Sequence, residues 1–136
     1  MRFETDGRVV LAHFHAREDH VGFKGTIHGG ISATVLDEIM VWACAVQTKR
    51  FAYCAELNVR FTSPMRPGQK VFASAELTSN RRNKLFEAKA ELRDEAGVVL
   101  ATATGKYLPI RESEAAEMMK DLRDENGGVF NPMAQT

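Results

Sequence analysis

Five stretches of the chain place apolar side chains at every second position, the period of a strand with one buried face. From Arg8 to Ala16 the alternation is weak, with Val10, Ala12 and Phe14 on one side and His13 and His15 on the other. Ala55 to Thr62 is clean: Ala55, Leu57, Val59 and Phe61 oppose Glu56, Asn58, Arg60 and Thr62. Val71 to Thr78 sets Val71, Ala73, Ala75 and Leu77 against Ser74, Glu76 and Thr78. Phe86 to Arg93 sets Phe86, Ala88, Ala90 and Leu92 against four charged residues. In Val98 to Leu108 one face is mostly small, made of Val99, Ala101, Ala103, Gly105 and Tyr107. Ser63-Pro64-Met65-Arg66-Pro67-Gly68 cannot continue a ladder, because each proline lacks a donor. Ser79 to Lys84 and Asp94 to Gly97 read as hairpin tips, so short connections predict antiparallel neighbours over the last four strands.

Between the first two strands the period changes. Ile31, Ala33, Val35, Leu36, Ile39, Met40, Trp42, Ala43 and Val46 cover most of a helix circumference, which predicts a buried helix. One buried helix and about five antiparallel strands suggest an α+β domain whose curved sheet wraps the helix. After Pro109 the pattern shifts again. Ser113 to Asp124 predicts an amphipathic helix ended by Gly127-Gly128. Residues 1–110 thus read as the principal unit, and 111–136 as a helix and tail belonging to the same single domain.

Composition narrows the function classes. The 136 residues carry 18 Lys plus Arg against 18 Asp plus Glu, a balance that does not suggest a nucleic-acid partner. The apolar stretch from Ile31 to Val46 is short for a bilayer span and is interrupted by Asp37 and Glu38. Met1 to Asp6 has no apolar core of the signal-peptide kind. Cys44 and Cys54 fall on different elements, so reduced thiols and a cytoplasmic setting are expected.

The chemistry concentrates in "GTIHGGISATVLDEIMVWACAV", residues 25–46. The first turn of a helix leaves N–H groups without intrahelical partners, and the macrodipole adds partial positive charge there. Glycines at 29 and 30 let another group approach those donors. A carbonyl oxygen that becomes an oxyanion would be stabilised in such a place. Asp37 follows two turns inside an apolar helix, where a carboxylate is costly unless something uses it. The bland alternative is a tight turn followed by a satisfied polar residue, and spacing alone does not decide between them.

Three segments, "HVGFKGTIHGGISATVLDEIMVWA", "AELNVRFTSPMRPG" and "LRDEAGVVLATATGKYLPI", resemble the hotdog-fold acyl-CoA thioesterases, in particular the branch of the phenylacetyl-CoA thioesterases. The resemblance runs from about Val9 to Ile110. It implies a sheet of five to six strands around the helix, a homodimer with a continuous sheet, and dimers that often pair into tetramers. Each active site then lies between two chains. Asp37 matches the catalytic carboxylate, as general base or nucleophile, and Gly29 the backbone N–H that polarises the thioester carbonyl. His28 matches the motif histidine. Cys54, on the strand expected from the other chain, stands where many members have a water-positioning serine or threonine. Gly30 and Gly22 fall in the substrate-binding segment; Gly22 replaces the asparagine or glutamine of some branches. Arg60, Arg81 and Arg82, with Arg66 and Lys84, are candidates for the phosphates of coenzyme A. The resemblance implies a substrate that carries coenzyme A, with no metal and no separate cofactor.

Three other readings compete. His13, His15, His20 and His28 could be metal ligands, although their spacing is weak support. Hydratases of the same fold have a histidine five residues after the aspartate, where this chain has Trp42. A hotdog dimer that binds acyl groups without hydrolysing them is the third. Trp42, Phe61 and Met40 could line an acyl tunnel or simply fill the core.

Overall fold

A hairpin that the alternation does not reveal begins the fold. In the computed structural model, which describes residues 2–17, 25–27, 29–111 and 113–114, strand β1 (Arg2–Thr5) pairs antiparallel with β2 (Val9–His15). The Asp6 carboxylate closes the turn by accepting the backbone N–H groups of Arg8 and Val9, both at 2.9 Å. Those bonds hold its carboxyl below the ordinary range. β1 is short and mostly exposed, so it leaves no two-residue signature in the sequence.

Helix α1 (Gly29–Thr48) follows, then β3 (Ala52–Phe61), β4 (Lys70–Arg81), β5 (Leu85–Asp94) and β6 (Val99–Pro109). The six strands form one sheet in the order β1-β2-β4-β5-β6-β3, with every neighbouring pair antiparallel. The hairpins β4–β5 and β5–β6 agree with the turn chemistry. The expected β3–β4 hairpin is corrected: β3 pairs with β6 at the far edge, and β4 lies beside β2. The proline-bearing segment between them crosses the end of the sheet instead of folding back. Thr62 N–H bonds Leu100 at one side, Met65 accepts from Ile27 N–H in the middle, and Gly68 N–H reaches Ala16 at the other side. Met65 is buried under this crossing.

The inner face of the sheet meets α1 through the predicted alternate residues. Leu36, Ile39, Met40, Ala43 and Cys44 of the helix are fully enclosed, as are Val71, Phe86, Leu92 and Tyr107 of the sheet. Burying one leucine of this kind is worth about 1.5–3 kcal/mol. The helix spans 20 residues, longer than its apolar core stretch, and by length and composition could cross a membrane. Here it packs along its own sheet. Its exposed flank is Gly30, Thr34 and Glu38, so the helix is not apolar on all sides.

The outer face is polar. Arg8 and Lys89 lie 3.9 Å and 3.1 Å from Glu76, and Lys106 lies 3.6 Å from Glu56. Such exposed pairs contribute little stability. Strand β3 is different in kind: ten residues long, at the sheet edge, and exposed over much of its length. Tyr53 and Phe61 on it are 54% and 56% exposed. The helix expected over 113–124 lies almost wholly outside the described residues; Ser113 and Glu114 are helical.

Candidate active site

Asp37 sits midway along α1, half-buried, on the side that faces the C-terminal half of β6. The buried Tyr107 hydroxyl donates to Asp37 Oδ1 at 2.8 Å. It also lies 3.4 Å from the Asp37 carbonyl oxygen. Burial first, then the neighbouring carboxylate, push the Tyr107 phenol above its ordinary value, so it acts as a donor to Asp37. Gly105 makes room for this ring. A Cβ at Gly105 would stand 2.6 Å from Tyr107 Cε2. None of the ion pairs among the described residues includes Asp37.

Cys54 reaches the same place by a break in strand period. Strict alternation would put it on the outer face with Glu56 and Asn58. The β3–β6 register shifts between Cys54 and Glu56, so Ala55 is the extra residue of a bulge. Bulges re-aim side chains in this way. Leu57 and Val59 still pack on the core, and Cys54 now pairs with Tyr107 on the helix side of the sheet. Its thiol donates to the Glu56 carbonyl at 3.4 Å. Partial desolvation, followed by the charge of Asp37, pushes the thiol up, which keeps it protonated rather than nucleophilic. The carboxylate, phenol and thiol therefore form one cluster within one chain. The expectation that Cys54 comes from the other chain's strand is corrected on this point.

The helix start is a separate feature. Gly29 opens α1 with its Cα against the Phe61 ring, where a Cβ would lie 3.3 Å from Phe61 Cζ. Beside it is a cavity of about 360 Å³ lined by Ile27, Ser32, Phe61, Pro64, Met65 and Leu100, among others. Eight residues separate Gly29 from Asp37, about 12 Å along the helix axis. One carbonyl cannot touch both groups of the same chain.

The remaining predicted residues divide by place. Gly30 is exposed, and its carbonyl accepts the Thr34 hydroxyl at 2.8 Å. Arg60 is on the outer face, pairing with Thr102, and lines a groove of about 840 Å³ with Ser74, Glu76 and Lys89. It faces away from Asp37 of the same chain, as its register partner Thr102 does. Arg81 and Arg82 form the exposed β4–β5 tip, at the same end of the sheet as the Tyr107–Phe86 row. His28 and Gly22 lie outside the described residues, as does His20. His13 and His15 are exposed on the outer face of β2, and no group of three or more metal-ligating side chains occurs among the described residues. Trp42 packs against Phe3 and Phe51, each with ring centroids 5.7 Å away, and Met40 is enclosed, so both are core. Tyr107 is the residue that sequence reasoning missed. Its signal was a lone hydroxyl on a face of small residues, two positions after a glycine.

The Thioesterase superfamily profile matches residues 24–101, from before the helix start into β6. The chain belongs to the thioesterase superfamily. Among curated proteins it is similar to human acyl-coenzyme A thioesterase 13, 28% identical over 79 residues that cover 57% of this chain and 56% of the human protein. The match thus spans little more than half of that relative's length. Among solved structures, the E. coli PaaI protein from the phenylacetic acid degradation operon superposes with a TM-score of 0.74 at 17% identity, covering 81% of this chain and 79% of that one. The Streptococcus mutans protein smu.793, bound to acetyl CoA, gives a TM-score of 0.74 at 14% identity over 81% and 90% of the two chains. One helix against a six-stranded antiparallel sheet is the hotdog fold that these structures share.

Proposed function

We propose that this protein hydrolyses an acyl-CoA thioester to a free acid and coenzyme A. The observation that carries the reading is Asp37: a carboxylate two turns inside an apolar helix, half-exposed and gripped by a buried phenol. Membership of the thioesterase superfamily and the similarity to an acyl-coenzyme A thioesterase support the substrate class.

In this reading Asp37 takes a proton from water as the water oxygen attacks the thioester carbon. The backbone N–H at Gly29 receives the developing oxyanion, aided by the helix dipole. The intermediate collapses with cleavage of the C–S bond, and the proton held on Asp37 passes to the leaving sulfur. The Cys54 thiol, a weak donor, orients the water from beside the carboxylate.

The separation of about 12 Å between Gly29 and Asp37 requires donors and base from two copies of the chain, since both must lie about 3 Å from the reacting group. The exposed edge β3 supports a dimer in which two sheets join, because a long unpaired edge carrying Tyr53 and Phe61 otherwise invites uncontrolled pairing. The outer-face groove, with Arg8, Arg60 and Lys89 beside Glu76 and Glu91, is self-complementary in charge and suits pairing of dimers. Arg81 and Arg82 remain candidates for the coenzyme A phosphates.

The test is a panel of acyl-CoA esters of graded length, aliphatic and aromatic, followed by chromatography of both products. Stoichiometric free acid and coenzyme A are expected with at least one member. Saturable binding to the whole panel without release of either product would mean a protein that binds acyl groups and leaves them intact.

A further inference from the structure

Tyr107 is fully enclosed, yet its hydroxyl ends on the half-buried Asp37 carboxylate of the helix, at 2.8 Å. Its place is built by three neighbours. Phe86 and Cys54 flank it in register on β5 and β3, and Gly105 lacks the Cβ that would collide with its ring. The superfamily profile ends at residue 101, so Asp37, Cys54 and Phe86 lie within the matched span while Gly105 and Tyr107 lie beyond it.

We infer that Tyr107 is a positioning residue for hydrolysis: its phenol anchors Asp37 Oδ1, fixes the carboxylate plane, and leaves Oδ2 to take the proton of the attacking water. The inference rests on the proposed activity. The phenol keeps its proton throughout, so no bond to it forms or breaks; water's proton moves to Oδ2 and later to the leaving sulfur. A hydrogen bond donated to a carboxylate favours its ionised form, the form a base requires. A tyrosine serving only the core would cost stability when its hydroxyl is removed but leave the turnover of the folded protein unchanged.

Tyr107→Phe keeps the ring and removes the hydroxyl. The expected result is a fall in kcat of about 10- to 100-fold with KM within about twofold, as for a misplaced base. Substituting 3-fluorotyrosine at 107, which retains the ring and its donor, should keep kcat close to that of the parent and covers the case in which the phenylalanine variant folds poorly. The 13C chemical shift of the labelled Asp37 carboxyl, compared between the parent and Tyr107→Phe at one pH, reads the lost hydrogen bond without turnover. A folded Tyr107→Phe variant with lowered Tm but unchanged kcat and KM overturns the role alone. A wild type that hydrolyses nothing overturns the activity, and this role with it.

Discussion

At the scale of single residues, the cluster of Asp37, Tyr107 and Cys54 makes statements that need no substrate. The Asp37 charge helps to raise the Cys54 thiol, so Asp37→Asn should lower it, increase the thiolate fraction and speed alkylation of Cys54. Iodoacetamide labelling rates measured from pH 7 to 10 check this; equal rates in the two proteins would mean that Cys54 does not feel Asp37. Cys44 will not interfere, because burial pushes its thiol up to about 12. In turnover, Cys54→Ser should match or exceed the parent, since a hydroxyl is the better donor, and Cys54→Ala should lose about 10-fold. An alanine variant as fast as the parent would remove Cys54 from the account.

At the scale of elements, the β3 bulge and the Gly105 hollow position the site. Gly105→Ala puts a methyl group into the Tyr107 ring, and such overpacking typically destabilises by about 1–3 kcal/mol. Denaturant unfolding should report that loss, together with reduced turnover. A fully stable, fully active variant would show that the ring has other room. These features mark the limit of reading the chain by period. Leu57, Val59 and Phe61 were legible as one face because alternation depends only on residue type along a strand. Cys54 was not, because a single unpaired residue at Ala55 reverses parity and leaves no trace in composition. The β3–β4 crossover was hidden likewise: prolines announce that a ladder stops, but do not say where the chain goes next. Tyr107 read as core, and it is core; its hydroxyl gains meaning only when the helix places Asp37 opposite.

At the scale of the whole molecule, the curved sheet around one helix was foreseeable from the count of alternating runs and the single apolar helix. The short hairpin strand β1 was not. A two-chain assembly is the expectation from one distance and one surface: Gly29 and Asp37 too far apart within a chain to meet one carbonyl, and an exposed edge at β3. Sedimentation equilibrium should therefore give a dimer or an even multiple of it, and a monomer at micromolar concentration that still hydrolyses thioesters would contradict the two-chain site. Mixing offers a sharper form. A chain disabled at Asp37 and a chain disabled at the Gly29 turn, each inactive alone, should regain about a quarter to a half of wild-type activity once subunits exchange, as shared sites require.

The most direct test of the central claim is the turnover number of Asp37→Asn, measured beside the wild type as free coenzyme A released from the best substrate of the panel. The variant keeps the size of the side chain and a group able to accept from Tyr107, but cannot take a proton. A fall of about 10²–10⁴-fold in kcat, with the fold and its unfolding midpoint retained, is the predicted result. A folded Asp37→Asn protein that turns over like the wild type would contradict the account.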